Sequence, residues 1–204
     1  GPHYPYGEPA RDAMIRSGET PLHIHNNCSG KHTGFLTVAR QLGAPLDSYV
    51  DTVHPVQLAV MDAIAGVAGV SVGAWDIGID GCSAPNFALP LSRWAYAMAR
   101  LASGQGLPPA RARAAQRLVG AMRDHPELMS GTGRACAQLT RACEGRAIVK
   151  TGAEGVFVAI LPGRGLGVAL KILDGATRAS ETLMTACLIK LGALDPGHPT
   201  ARLY

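Results

Sequence analysis

Aromatic side chains are scarce in this chain: three Phe, two Trp and five Tyr among 204 residues. So few planar rings offer little for base stacking. The basic residues are scattered apart from Arg111, Arg113 and Arg117, so nucleic acid is not an expected partner. Charge is also sparse, at 17% of residues with a formal net charge of +4. An apolar content of 47% nevertheless excludes a disordered chain. No apolar run reaches the roughly eighteen residues of a membrane-crossing helix and no signal peptide precedes Gly1, so no membrane partner is expected. The five cysteines (28, 82, 136, 143 and 187) are odd in number and widely spaced, unlike the framework of a small secreted domain. They favour a reducing compartment and hence a cytoplasmic location.

Catalytic signatures are missing as well. There is no H-E-x-x-H, no G-x-S-x-G and no S-x-x-K. No G-x-G-x-x-G follows an expected strand, and the glycines of Gly163-Arg164-Gly165-Leu166-Gly167 suit a strand-to-strand turn. Ser29, Ser83 and Thr151 are the hydroxyls near basic partners, and none has an evident general base beside it in sequence.

What is present begins with punctuation. Twenty-five Gly and fourteen Pro divide the chain into short elements. Helices are expected around 12–17, over 33–42 from a start near Cys28, and over 56–67, 91–101, 111–123 and 178–191, with extended chain at 20–25. Gly73 to Ile79 reads as a strand running into a compact loop, Asp80 to Asn86. Residues 148–149, 155–161 and 167–173 read as two or three hairpin strands. This order predicts an α+β fold, a mainly antiparallel sheet flanked by helices, and no Rossmann unit.

The chain is organised around His23-Ile24-His25-Asn26-Asn27-Cys28-Ser29-Gly30-Lys31-His32. A helix starting near Cys28 places Cys28 and Lys31 on one face. The helix N-terminus and the ammonium would both favour thiolate there. Spacing alone leaves Cys28 open between a reactive or metal-binding thiol and a small buried hydrophobe. Cys82 follows Asp80 in a loop after a strand, which suits a thiolate ligand with a supporting carboxylate, or equally a buried thiol in a tight turn. Cys28, Cys82 and a nitrogen donor would make three ligands with an open position, which suits zinc. Lys31 can be that donor only if neutral; His25, His32 and His54 are the ordinary choices. Lys150-Thr151-Gly152 combines a lysine with a small residue that admits a ligand to the backbone. Cys143 and Cys187 fall in helical patterns and read as core.

His25-Asn26-Asn27-Cys28-Ser29-Gly30-Lys31-His32-Thr33-Gly34 closely resembles the signature of the thermolabile, rhizobial-type L-asparaginase family. The likeness continues through His54-Pro55-Val56-Gln57, Asp80-Gly81-Cys82-Ser83-Ala84-Pro85, Phe87-Ala88-Leu89-Pro90-Leu91, and Lys150-Thr151-Gly152-Ala153-Glu154-Gly155. It extends to Lys171-Ile172, Asp174-Gly175 and Arg178-Ala179, and Gly1-Pro2-His3 fits the segment before the signature. The resemblance implies a β-lactamase/glutaminase-like fold and hydrolysis of L-asparagine to L-aspartate and ammonia. It also implies a zinc site at Cys28, Lys31 and Cys82 with Asp80 beside it, and a supporting catalytic role for Lys150. Ser29, Asp80, Cys136 and Thr151 are expected in the substrate pocket. The family's Ser-x-x-Lys nucleophile lies before the region matched, so residues 1–204 are expected to be one asparaginase-like domain lacking its N-terminal part, with C-terminal residues also allowed to be missing. Three other readings stand beside this one: a zinc-water amidase, a glutaminase, and a non-catalytic fragment that binds zinc or an amino acid. A homodimer is a further expectation.

Overall fold

The computed structural model describes residues 1–73 and 76–204. They divide into two compact units, Gly1–Ala65 with Ser71–Ala88, and Gly66–Val70 with Leu89–Tyr204.

The first unit opens with helix α1 (Glu8–Ser17), closed by the left-handed Gly18. The extended chain expected at 20–25 is instead partly a 3-10 turn, His23–His25, with the His25 ring accepting the Leu22 amide hydrogen. Helix α2 (Ser29–Leu42) starts where the sequence places it, with Cys28 at its N-cap and left-handed Gly43 after its end. The capping contact comes from just before the helix, where Asn26 Oδ1 accepts the Cys28 N–H at 2.7 Å. Helix α3 (Pro55–Ala68) begins at a proline, which suits a first turn whose N–H needs no partner. Strand β1 (Ile77–Ile79) is shorter than expected, and Ala74 and Trp75 of that prediction lie outside the described residues. The expected loop to Asn86 is a tight turn at Asp80–Ala84 that returns as strand β2 (Pro85–Phe87), antiparallel to β1. Its apolar core is small, with Met14, Ala39, Val56 and Ala84 buried, so polar pins carry much of the packing. Gln57 Nε2 donates to the Tyr49 carbonyl at 2.8 Å, and His32 Nδ1 meets the Tyr49 hydroxyl at 2.7 Å.

The second unit is built on a three-stranded antiparallel sheet in the order β3 (Ile148–Thr151), β4 (Val156–Leu161), β5 (Leu166–Lys171). Helices α4 (Leu91–Ser103) and α5 (Pro109–Asp124) match the expected amphipathic pair. The short helix α6 (Pro126–Ser130) precedes α7 (Ala135–Ala142), and α8 (Thr177–Lys190) follows the sheet. The two-residue period of β4 sorts its side chains. Phe157, Ala159 and Leu161 join α7 and α8 in one core with Leu139, Met184 and Leu188, while Ile160 packs with Ile148 and Val119 against Met98 and Leu101. The sheet is thus flanked by helices on both faces. This is an α+β architecture with antiparallel sheets, consistent with the β-lactamase/glutaminase-like class.

Cys143 ends α7 with no exposed surface, as its core reading requires, whereas Cys187 on α8 is only half-buried. Burial pushes the Cys143 thiol up to about 11 from an ordinary 9.0. An unfolded chain therefore ionises this thiol first, and stability should fall between pH 9.0 and about 11. Urea unfolding at the two ends of that window should show a loss of up to about 2 kcal/mol. Cys143→Ala should flatten the slope; an equal slope in the variant would assign the loss elsewhere.

Candidate functional site

The first unit gathers four of the residues singled out from the sequence. Cys28 and Lys31 come from the start of α2, Asp80 and Cys82 from the turn between β1 and β2. Lys31 Nζ donates to Cys82 Sγ at 3.2 Å and lies 3.7 Å from Asp80 Oδ2. The turn that presents Cys82 is closed by Ser83 N–H to Asp80 O at 2.8 Å and Asp80 N–H to Ala84 O at 2.9 Å, with Ser83 left-handed at φ 71°. Burial lowers the affinity of Lys31 for its proton, but the bond to Cys82 and the charges of Cys82, Cys28 and Asp80 outweigh it, and its pKa is raised. Cys28 departs from expectation. Burial is the largest influence on its thiol and raises the pKa, with the nearby Lys31 opposing. Ser29 forms the first turn of α2, its amide donating to Asn26 O and its carbonyl accepting the Thr33 hydroxyl.

His32, next along α2, has its pKa lowered by burial and by Lys31. Its Nδ1 is held by Tyr49, and His25 and His54 point to other partners, the Leu22 amide and the Pro45 carbonyl. None of the three histidines takes part in the Lys31 cluster through a hydrogen bond.

The second unit holds the remaining predicted residues. Cys136 on α7 is buried, and its sulfur accepts the Thr151 N–H at 3.1 Å. Burial raises the Cys136 pKa, with that amide bond, Lys150 and Arg134 opposing and Glu181 assisting. Lys150, beside Thr151 on β3, donates through Nζ to the Thr151 carbonyl at 2.7 Å. Three neighbours were not legible in the sequence. Glu181 on α8 and Tyr204 at the chain end both have raised pKa values, chiefly from burial, and Arg134 acts on both. The Tyr204 hydroxyl donates to Gln138 Oε1 on α7. No motif links these positions; only the turn of α7 against α8 and the chain end brings them to Cys136.

Set against known families, residues 1–203 match the model of L-asparaginase II. The chain belongs to the L-asparaginase II family. It is an L-asparaginase-type enzyme, a hydrolase by class. No curated protein matches it.

Two expectations are corrected for this L-asparaginase II member. Residues 1–203 of 204 match the family, so the family domain spans nearly the whole chain, in place of the expectation of a domain that lacks a part and takes its nucleophile from a separate segment. The zinc site at Cys28, Lys31 and Cys82 is also overturned. Among the described residues no three His, Cys, Asp or Glu side chains converge so as to hold a metal. The physical reason lies in Lys31: its amine is held as an ammonium and donates to Cys82, so it has no lone pair to offer a cation. Zinc, and the zinc-water amidase reading with it, therefore drop out of the account. No helix among the described residues is long and apolar enough to cross a membrane.

Proposed function

We propose that this protein hydrolyses the side-chain amide of L-asparagine, giving L-aspartate and ammonia. The observation that carries the reading is the family match over residues 1–203. The C–N bond of the amide breaks, a C–O bond forms, and one water supplies the oxygen and the proton that leaves with nitrogen. In the first unit we assign Lys31 to the substrate. Its ammonium is fixed between Cys82 Sγ and Asp80, which supports a role in meeting the substrate carboxylate or the negative oxygen that develops at the amide carbon. Cys28 and Cys82 position that amine, and Ser29 and Asp80 line the pocket. In the second unit Lys150 takes the supporting catalytic role, with Cys136 and Thr151 as pocket residues. The continuity of the family match supports reading 1–204 as one asparaginase-like domain. Five free thiols support placement in the cytoplasm.

The test is ammonia release from the purified protein with L-asparagine and L-glutamine as separate substrates. L-Asparagine should be turned over, and one extra methylene should reduce kcat/KM for L-glutamine by about 10- to 200-fold. Ammonia release from neither amide would sink the assignment.

A further inference from the structure

We propose that the second unit carries a separate small-molecule site, a pocket beside α5 that takes a compact neutral ligand: an apolar body of one ring with a single hydroxyl or amide head. None of the residues assigned to asparagine lines this pocket, so the site requires neither that substrate nor turnover.

The pocket measures about 240 Å³ and is half-open to solvent. Leu101 of α4, Val119 of α5, Ile148 at the start of β3 and Pro162 just after β4 give it apolar walls. Val119 and Ile148 belong to the buried core on this face of the sheet, so packing holds the floor in place. Helix α5 presents Gln116, Val119, Gly120 and Arg123 to the space, the i, i+3, i+4, i+7 stripe of one helix face. At the centre of that stripe stands a glycine, among the least favourable residues for a helix interior. No packing contact demands it: a Cβ at Gly120 would meet nothing within 4 Å. The room in front of Gly120 is the pocket, and an occupant accounts for its being kept clear.

Volume sets the size of that occupant. An apolar cavity of about 150 Å³ holds benzene, so about 240 Å³ admits one ring with a short substituent. The rim sets the head group. Gln116 and Arg123 are exposed at the mouth, and the Gln116 amide offers both a donor and an acceptor. Arg123 turns Nε and Nη2 to the Asp124 carboxylate, at 2.8 and 3.3 Å, which leaves Nη1 for a ligand. Its stem runs beside Gly145 on the opposite wall, with Cδ 3.6 Å from where a Cβ of that residue would stand. Asp124 balances the guanidinium charge and disfavours an anionic head. A neutral hydroxyl or amide suits both rim groups, accepting from Arg123 and sharing a hydrogen bond with Gln116.

The experiment titrates the whole protein with p-cresol, followed by calorimetry and by nuclear Overhauser effects from the ligand ring to protein methyl groups. Expected are saturable binding with a Kd on the order of 1 mM or below and Overhauser contacts to Leu101, Val119 and Ile148. Toluene, without the hydroxyl, and p-toluate, with a charge, should each bind about tenfold more weakly. Gly120→Leu, whose side chain fills the pocket, should abolish binding at a urea midpoint close to that of the wild type. Arg123→Ala, a surface change that does not threaten the helix, should weaken binding about tenfold and keeps the test decisive if Gly120→Leu fails to fold. No saturable binding, Overhauser contacts to another region, or undiminished binding by a folded Gly120→Leu protein would each overturn the proposal. Binding of p-toluate as tight as that of p-cresol would overturn the neutral head. Because no amide substrate enters the assay, its outcome is separate from that of the asparaginase test.

Discussion

Lys31→Met lowers asparagine turnover by on the order of 10²-fold or more while leaving the folded state nearly as stable. The two halves of that expectation have different physical sources. Lys31 and Asp80 have side chains 38% and 40% exposed, and an ion pair that open to solvent contributes little to folding. Its methylene stem, retained in methionine, keeps whatever packing the lysine provides. What is lost is a cation fixed by a sulfur at 3.2 Å and a carboxylate, a group that needs no reorganisation when charge develops on the substrate. Lys31→Arg should recover only part of the activity, because the planar guanidinium cannot take the single-point geometry of the ammonium between Cys82 and Asp80. The measurements are steady-state kcat and KM beside a urea midpoint. Turnover within about threefold of wild type, at an unchanged midpoint, removes Lys31 from the reaction.

Gly167→Ala is the most damaging single methyl group for the fold. A Cβ there would stand 2.2 Å from the Ala95 carbonyl oxygen, 2.4 Å from the Ala99 nitrogen and 2.6 Å from Met98 Cβ. Those are backbone atoms of α4, which cannot rotate away as a side chain can. Strand β5 and helix α4 therefore have to separate, weakening the Ile160–Ile148–Val119 core on that face of the sheet. A destabilisation of about 3 kcal/mol is expected, seen as a lowered urea midpoint. Gly120→Ala on α5 is the matched control, since nothing lies within 4 Å of the added carbon. It should be neutral or stabilising by up to ~1 kcal/mol. Equal midpoints for the wild type and the Gly167 variant would mean that α4 does not press on β5 as described.

The reason Gly167 escaped sequence reasoning shows how far such reasoning reaches. In the sequence it sits in a Gly-rich run and reads as hairpin chemistry, and the turn is indeed there, with left-handed Gly165 following a short 3-10 segment. That a glycine two residues later serves close approach of a helix depends on a partner some seventy positions earlier. Helices α4, α5 and α8 were legible because apolar spacing is local, and β3–β5 because alternation and punctuation are local too. The short α6 and β2 were not, since too few residues carry a period. The Cys28–Lys31 pairing followed from helix geometry. Its meeting with Asp80 and Cys82 was suggested by ligand types and by family resemblance, because no local rule says which turn will fold against which helix start. The zinc expectation failed on charge: spacing supplies ligand types but not the protonation state of an amine. Tyr49, which holds His32, and Glu181 and Tyr204, which surround Cys136, belong to the same class of long-range contacts.

Strand β4 separates two layers that share a backbone and little else. Leu161 and Ile160 are consecutive in the chain, yet one packs beside Met184 and Leu188 and the other beside Val119. Evolutionary drift can accordingly rework the filling of one layer while the other stays as it was, with a single ribbon of peptide acting as the partition between two independently editable interiors.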